Sequence, residues 1–194
     1  MSKRVTIIQG HPDRHGDHLD HALAAAYAQG ASEAGHAVEL ITVATLDFPL
    51  LRTAADFEHG MLPPPIADCQ KKIASADHLV IIYPLWLGDV PALLKGFLEQ
   101  TFRPGFAFTY GGPFGAKKLL KGKTCRLILT MGMPAFVYRW IFRSHSVKSM
   151  QRNMLAFCGI KPVGATIFGG VERAKERRRD KWLAHVRELG RKAQ

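Results

Sequence analysis

The amino-acid sequence predicts an α/β fold in which helices cover both faces of a parallel β-sheet. Five short apolar runs alternate along the chain with five helical segments, and this alternation is typical of parallel sheets. The chain has 194 residues and is 47% hydrophobic, which is ample for one core. It contains no internal repeat and no linker long enough for a second domain. Residues 1–194 are therefore predicted to form one domain.

The first half of the chain provides three strands and two helices. The strands are short runs rich in Val and Ile, as expected for strands that are buried on both faces. The first helix is rich in alanine and is followed by Gly35, a residue type that commonly ends helices. The predicted strands are residues 5–9, 38–43 and 79–83, and the predicted helices are residues 19–34 and 66–75.

The second half provides three helices and two strands. Asp89 is expected to be the N-cap of the third helix, with Pro91 in its first turn. Gly159 is expected to end the fourth helix, and the last helix carries its apolar residues on one face. The predicted helices are residues 90–101, 146–157 and 173–189, and the predicted strands are residues 126–130 and 163–168.

The positive charge of the chain is concentrated in one region. The net charge is +11, yet residues 100–171 contain no Asp or Glu. Such a region favours contact with an anionic partner, whether nucleic acid, a membrane surface or a phosphorylated cofactor. The alternative is a generally basic protein in which most of these side chains have no partner. The cations of this region are Arg103, Lys117, Lys118, Lys121, Lys123, Arg126, Arg139, Arg143, Lys148, Arg152 and Lys161.

The sequence predicts a cytoplasmic protein. No apolar run approaches the roughly 20 residues of a membrane-spanning helix. The apolar run at the N-terminus ends after a few residues, so it is a poor signal peptide. The three cysteines, Cys69, Cys125 and Cys158, are far apart and form no C-x-x-C pattern, which suits a reducing compartment.

Three loops are the candidate binding segments. In parallel α/β sheets, ligands bind at the carboxyl ends of the strands, where the strand order reverses. The loops that follow the first, third and fourth predicted strands read GHPDRHGDHLDH, YPLWLGD and TMGMPAFVYRW. We expect them to lie together at one edge of the sheet.

The first loop favours a phosphate site. It lacks the G-x-G-x-x-G pattern and the lysine loop of P-loop proteins. It leads into a helix that begins near Asp17, where free backbone N–H groups and the helix dipole suit an anion. Its histidines also suggest a metal site, but no carboxylate or cysteine pattern completes one, so no metal is predicted. These histidines are His11, His15, His18 and His21.

The other two loops favour a planar ring. Leu85, Trp86 and Leu87 are large apolar residues in a segment that should lie on the surface, where they would cover a flat ligand. The backbone of Thr130, Met131 and Gly132 would approach the edge of that ligand, since glycine permits close contact. A phosphate site beside a ring slot is a mononucleotide site. The alternative for Trp86 is a core residue that packs under the loop.

Three segments resemble a known family. GHPDRHGDHLDHAL, YPLWLGDVPALLKGFLEQTFRPGFAF and LTMGMP are similar to segments of the flavodoxin-like NAD(P)H:quinone oxidoreductases. That family includes mammalian quinone reductases, modulator-of-drug-activity proteins and ancillary subunits of potassium efflux systems. The resemblance runs over residues 5–168 and implies a flavodoxin-like sheet of order 2-1-3-4-5. It also implies FMN, or alternatively FAD, as cofactor, NAD(P)H as hydride donor and a quinone-like acceptor.

The resemblance assigns roles at matching positions. It implies that His11 binds the flavin phosphate together with the start of the first helix, at Asp17, His18 and Leu19. It also implies that the isoalloxazine ring lies between two loops. Three positions depart from the family pattern: His18 replaces a serine, Leu87 an aromatic residue and Met133 a glycine. The loops that would hold the ring comprise Pro84, Leu85, Trp86 and Leu87 on one side and Thr130, Met131 and Gly132 on the other.

Further roles follow from the same resemblance. Tyr138, expected in the long loop after the fourth strand, is a candidate donor of a hydrogen bond to the flavin or the acceptor, and the alternative is an ordinary half-buried tyrosine. Residues 104–110 match an arm that shapes the substrate pocket across a dimer interface, with Phe106, Phe108 and Tyr110 as its aromatic residues. The sequence thus predicts a homodimeric oxidoreductase. The alternative is a non-enzymatic regulatory subunit that docks to a membrane transporter through its basic half, while nucleic-acid binding has no motif behind it.

The basic residues of region 100–171 have two candidate roles. Arg139 and Arg143, beyond Gly132, are expected near the pocket mouth, where guanidinium groups would bind a phosphate of the hydride donor. Their apolar neighbours suit docking to a membrane or a transporter equally well. These neighbours are Phe136, Trp140, Ile141 and Phe142.

Overall fold

A five-stranded parallel sheet forms the centre of the protein. The computed structural model describes residues 1–15, 18–111 and 115–194. A separate antiparallel hairpin, which the sequence did not predict, consists of two short strands. The strands are β1 (Arg4–Gln9), β2 (Ala37–Thr42), β3 (His78–Pro84), β4 (Phe108–Tyr110), β5 (Ala116–Lys118), β6 (Thr124–Met131) and β7 (Lys161–Gly169).

The order of the sheet is β2-β1-β3-β6-β7, with β4 and β5 in the hairpin. Counting only the sheet strands, this is the predicted order 2-1-3-4-5, and the prediction is confirmed. Every residue of β3 is buried, because β1 and β6 flank it and helices cover both of its faces. The chain reverses direction across the sheet between β1 and β3, so the carboxyl ends of these two strands border a crevice.

Eight α-helices occur in the described residues, and several differ from the prediction. The short helix after β2 and the helix after β6 were not predicted. The helices are α1 (Leu19–Glu33), α2 (Ala54–His59), α3 (Pro64–Ser75), α4 (Ala92–Thr101), α5 (Ala135–Trp140), α6 (His145–Ser149), α7 (Ala156–Cys158) and α8 (Glu176–Lys192). None of the described helices is long and apolar enough to cross a membrane.

Two predicted helix boundaries are wrong. Asp89 is not the N-cap of α4: the helix begins after Pro91, and Asp89 instead forms a tight turn with Trp86 through two backbone hydrogen bonds. The single helix predicted over residues 146–157 is α6, then a π-helical segment (Met150–Leu155), then α7. The wider π turn inserts an extra residue per turn, which apolar periodicity alone does not reveal. Gly159 ends this region with a φ of +98°, as predicted.

Helices α1 and α8 pack together on one face of the sheet, and glycines determine how closely. A Cβ atom on Gly30 would lie 1.9 Å from the carbonyl oxygen of Arg187, and one on Gly190 would lie 2.2 Å from that of Tyr27. The two backbones are therefore in direct contact. Beneath them Leu23 and Val186 are fully buried against the sheet.

The opposite face is covered by α3, α4 and the segment from α5 to α7. Its core includes Ile8, Ile73, Phe97 and Leu127, all fully buried. Since both faces of the sheet are covered, the sheet strands read as continuous apolar runs rather than as alternating ones.

The basic residues of region 100–171 do not form one continuous charged face. Arg103 is buried and donates hydrogen bonds to the carbonyl oxygens of Asp56, Phe57 and Gly60 around the end of α2. Lys123 donates to the carbonyl oxygens of Ala74 and Ala76 at the C-terminal end of α3, at 2.6 Å and 2.7 Å. Several cations of this region therefore hold the fold together by capping carbonyl groups.

Gly30→Ala should destabilise the protein by about 1–3 kcal/mol, because the new methyl group would push α8 away from α1. The loss should be measured as the free energy of unfolding in urea. Ser32→Ala, at an exposed position of the same helix, is the control and should change stability by less than about 0.5 kcal/mol. Equal stability of Gly30→Ala and the parent protein would contradict close packing of the two helices.

Candidate functional site

The three loops meet at the carboxyl edge of the sheet. The backbone N–H of Gly10, directly after β1, donates to the carbonyl oxygen of Ile82 in β3 at 2.7 Å. Leu85, directly after β3, donates to the carbonyl oxygen of Thr130 in β6 at 2.8 Å. The ladder of parallel strands thus continues into the loops and fixes their starting points relative to each other.

The first loop presents a group of three imidazole rings. The ring of His11 stacks on that of His18 with centroids 3.9 Å apart, and the ring of His21 lies 5.4 Å from the first and 5.6 Å from the second. The rings of His11 and Trp86 are close to perpendicular, with an angle of 78° between their planes and centroids 6.1 Å apart. The histidines therefore border the apolar loop after β3.

Hydrogen bonds to Asp13 set the orientation of two rings. Nδ1 of His11 accepts a hydrogen bond from the backbone N–H of Asp13 at 3.1 Å, and Nε2 of His18 lies 2.9 Å from a carboxylate oxygen of Asp13. Burial and the nearby His18 lower the pKa of His11, which favours the neutral ring. The hydrogen bond with His18 lowers the pKa of Asp13. In the described residues, no group of three or more His, Cys, Asp or Glu side chains is arranged to hold a metal ion.

Helix α1 begins at this loop with its first N–H groups available. His18 takes the N-cap position with extended backbone, and its side chain forms no capping hydrogen bond within the described part of the chain. Leu19 starts the helix and packs against the α1–α8 core. Asp17 lies outside the described residues. His15 is exposed, as expected for a solvated loop residue. The start of α1 thus offers backbone donors to an anion.

A buried carboxylate lies directly behind this helix start, which the sequence analysis missed. Asp20 is 3% exposed and accepts a hydrogen bond from Oγ1 of Thr130 at 2.8 Å. Its second oxygen, Oδ1, has no hydrogen-bond partner among the described residues. Burial raises the pKa of Asp20 from 3.8 to about 6. Its position in the first turn of an amphipathic helix gave no signal, since acidic residues are common there.

The loop after β3 provides an exposed apolar wall. Pro84 and Leu85 are buried, whereas Trp86 is 51% exposed and Leu87 is fully exposed. The alternative that Trp86 is a core residue is therefore wrong. Leu87 has a φ of +46°, in the left-handed region that leucine rarely adopts, and Gly88 follows with a φ of +83°. The turn thus holds two large apolar side chains outward.

The loop after β6 offers backbone groups, rather than side chains, to a ligand in the crevice. Thr130 and Met131 are buried, with the side chain of Met131 in the core under α4. Gly132 is exposed, and a Cβ atom there would lie 3.1 Å from a carboxylate oxygen of Glu172. Of these residues, only Gly132 presents open backbone to the crevice.

Tyr138 lies in helix α5 and not in a loop, which corrects the prediction. It is 1% exposed, and its hydroxyl shares a hydrogen bond with Oγ of Ser146 at 2.7 Å. The same oxygen accepts a hydrogen bond from the backbone N–H of Val147 at 3.3 Å. Because the hydroxyl is occupied inside the core and joins α5 to α6, the function proposed below does not use it as a donor to a ligand.

The aromatic residues predicted for the substrate pocket lie around the β4–β5 hairpin. Phe108 is buried and packs against Phe57 and Phe157, with ring centroids 6.4 Å and 4.8 Å apart. Phe106 is partly buried, and Tyr110 is exposed. No ring contact or hydrogen bond among the described residues joins these three to the three loops. Within one chain, the structure does not bring them to the crevice.

The fold and the site define the class of protein. Over residues 3–191 the chain matches the family described as having a flavodoxin-like fold, and it belongs to that family. The resemblance found in the sequence is thereby confirmed.

Several proteins that are similar to this chain are named as quinone dehydrogenases or oxidoreductases. The ribosyldihydronicotinamide dehydrogenase (quinone) of Pongo abelii is 33% identical over 139 residues, which are 69% of this chain and 59% of that protein. The FMN-dependent NADH:quinone oxidoreductase of Ruegeria pomeroyi is 28% identical over 148 residues, 69% of this chain and 72% of that one. The solved NAD(P)H:quinone oxidoreductase of Methanothermobacter marburgensis is 26% identical, with a TM-score of 0.85 and 100% of both chains covered. The matched region thus spans 59% of the length of the first relative.

Asp20→Asn should stabilise the protein at pH 7. The folded-state pKa of Asp20 is about 6, above its ordinary value of 3.8. Ionisation therefore costs folding free energy as pH rises from about 4 through 6, up to about 3 kcal/mol. Asparagine removes this cost and can still accept the hydrogen bond of Thr130. Urea unfolding between pH 4 and pH 8 should show that the parent loses stability relative to the variant over that interval.

Asp77→Asn is the opposite control. Asp77 accepts a hydrogen bond from the backbone N–H of Arg4 at 2.8 Å, and that bond lowers its pKa. This replacement should therefore lower stability at pH 7. A parallel pH dependence of parent and Asp20→Asn would show that Asp20 is not responsible.

Proposed function

We propose that this protein is a flavin-dependent oxidoreductase that passes two electrons from NAD(P)H through bound FMN to a quinone or a similar acceptor. One observation carries the proposal: the anion-binding start of α1, with His11 and His18, adjoins the exposed apolar wall formed by Trp86 and Leu87. This is the arrangement that a phosphate with an attached planar ring requires. The name of the Ruegeria pomeroyi relative supports FMN rather than FAD.

The first loop fits the phosphate of FMN. The start of α1 offers backbone donors to the phosphate. In the tautomer whose Nδ1 accepts from the N–H of Asp13, the neutral ring of His11 would donate its Nε2 proton to a phosphate oxygen. His18, whose Nε2 lies 2.9 Å from a carboxylate oxygen of Asp13, would add a positive charge when protonated. The departure from the small hydroxyl residue at position 18 therefore retains a donor.

The other two loops fit the flavin ring. Trp86 and Leu87 would cover one side of the ring, and the backbone at Gly132 would approach its edge. Bound flavin would supply two-electron transfer between the pyridine nucleotide and the acceptor, while the protein would supply position and electrostatics. The apolar wall excludes water from the ring, and Leu85, held by Thr130, keeps the wall in place.

We further propose that the active form is a homodimer. Four apolar side chains near the site are exposed in the single chain: Leu87, and Phe136, Trp140 and Ile141 at 65%, 81% and 71%. So large an apolar surface is typical of an interface. A second copy would cover it and would bring the hairpin aromatics, Phe106, Phe108 and Tyr110, to the site that they do not reach within one chain. We keep a single domain and a cytoplasmic location as predictions.

FMN binding tests the proposal directly. Titration of the purified protein with FMN should yield a yellow complex after desalting, and Trp86→Ala or Leu87→Ala should raise the dissociation constant about tenfold through lost aromatic and apolar contact. Met61→Ala removes an equally exposed apolar side chain away from the site and is the control. A parent protein that binds neither FMN nor FAD would refute the enzyme and favour a regulatory subunit.

The dimer is tested by Trp140→Ser with Ile141→Ser. Light scattering should show a dimer for the parent and a monomer for the variant, because polar residues would remove the apolar contact of the interface. The variant should lose quinone reduction while its melting temperature is retained, since both side chains are exposed. A parent that is monomeric but binds anionic vesicles would instead assign this surface to a membrane or transporter.

A further inference from the structure

Five cations surround a concave surface at the start of α8. The concavity has a volume of about 500 Å³. All five side chains are exposed, and the described residues that line it include no Asp or Glu. The lining residues are Arg173, Lys175, Arg177, Arg178 and Lys181. We call this group the α8 cation pocket.

The cations of this pocket differ from those at the other end of the same helix. There, Glu33 forms ion pairs with Arg187 and Arg191, and Glu188 pairs with Arg191 and Lys192. In the α8 cation pocket, by contrast, no cation has an ion-pair partner within 4.0 Å in the described part of the chain. Glu172, Glu176 and Asp180 lie in the same segment but do not pair with them. Among the described residues, no close ion pair therefore neutralises the cations of the pocket.

The position of these cations along the helix is also unfavourable by itself. Arg177 and Arg178 lie in the first turn of α8, where the helix dipole is positive. Cations normally stabilise the opposite end of a helix. A bound anion would reverse this cost, because it would satisfy the dipole and the side-chain charges together.

One guanidinium of the pocket is held in place. Arg178 lies over the ring of Trp182, 4.8 Å from its centroid, and donates a hydrogen bond to the carbonyl oxygen of Gly169 at 3.4 Å. Trp182 in turn packs against Phe168 at the end of β7, with centroids 5.0 Å apart. A planar donor that is already oriented loses less entropy when it binds a phosphate.

The pocket adjoins the loop that borders the proposed flavin ring. The backbone N–H of Gly170 donates to the carbonyl oxygen of Met133 at 3.0 Å. Glu172 stands beside Gly132, and Gly169 packs directly against the backbone of Ala135. The segment between β7 and α8 therefore lies beside residues 132–135, at the same edge of the sheet.

We propose that the α8 cation pocket binds the 2′-phosphate of NADPH and gives the enzyme its preference for NADPH over NADH. This rests on the proposed function, which requires a reduced pyridine nucleotide near the loop at residues 132–135. FMN has a single phosphate, already assigned to the start of α1, so the donor is the remaining phosphorylated ligand of the reaction. Arg139 and Arg143, also predicted to bind a phosphate of the hydride donor, are exposed beside large apolar side chains.

The test uses the double variant Arg177→Gln with Lys181→Gln, two exposed residues one helical turn apart. The first probe is 2′,5′-ADP, which carries the 2′-phosphate but neither nicotinamide nor flavin, and 5′-AMP is its control. Calorimetry should show that the parent binds 2′,5′-ADP more tightly than 5′-AMP. The variant should lose about tenfold or more of the affinity for 2′,5′-ADP, in line with lost charge-assisted hydrogen bonds.

Steady-state kinetics provides the second readout. The variant should raise KM for NADPH by a similar factor, with KM for NADH, kcat and FMN content unchanged. Lys117→Gln with Lys121→Gln, which removes the same charge from an exposed region elsewhere, should leave the ratio of the two KM values as in the parent. This control separates a specific phosphate site from a general loss of positive field.

Three results would overturn the proposal. The first is unchanged affinity of the variant for 2′,5′-ADP, and the second is an equal rise in KM for NADH and NADPH. The third is a selective loss of FAD affinity relative to FMN, which would assign the pocket to the flavin. If the protein takes up no flavin but binds 2′,5′-ADP through Arg177 and Lys181, then the proposed function fails while the phosphate site remains.

Discussion

The position of β3 between β1 and β6 is the constraint on which the site depends. Parallel strands must keep their hydrogen-bond register, so their carboxyl ends meet at one edge and the loops begin at fixed places. Two hydrogen bonds, from Gly10 to Ile82 and from Leu85 to Thr130, extend this register beyond the strands. The rings of His11 and Trp86 lie near each other because of that register, although 75 positions of sequence separate them.

The carboxyl edge of the sheet also carries two features that lower the stability of the folded protein. Asp20 is a carboxylate in a place where burial penalises its charge, and one of its oxygens has no hydrogen-bond partner among the described residues, while Leu87 has a left-handed backbone. Both lie where the proposed ligand would bind. Departures of this kind are commonly retained at functional sites, where ligand binding rather than folding determines the residue.

The sequence predicted the sheet well because buried parallel strands and the stops at Gly35 and Gly159 leave local signals. It predicted the three loops because the topology of such sheets determines where they meet. It did not reveal α5, because that segment has no capping side chain. The helix is held instead by Tyr138, whose hydroxyl contacts Ser146 and Val147 in α6. Nor did it distinguish Arg103, which caps carbonyl groups in the interior, from cations that remain free. A count of charges contains no information about partners, so only the structure separates these two groups.

The contact between α1 and α8 has a consequence for synthesis of the chain. It joins Gly30, near the beginning, to Gly190, near the end, and the core beneath it includes Leu23 and Val186. On this face of the sheet only α1 is present during translation until α8 has left the ribosome, whereas α3 and α4 can cover the other face much earlier. Contacts between such distant residues also slow folding. Nascent chains that stop before α8 should consequently be substrates for chaperones that recognise the apolar side of α1, which α8 would otherwise cover.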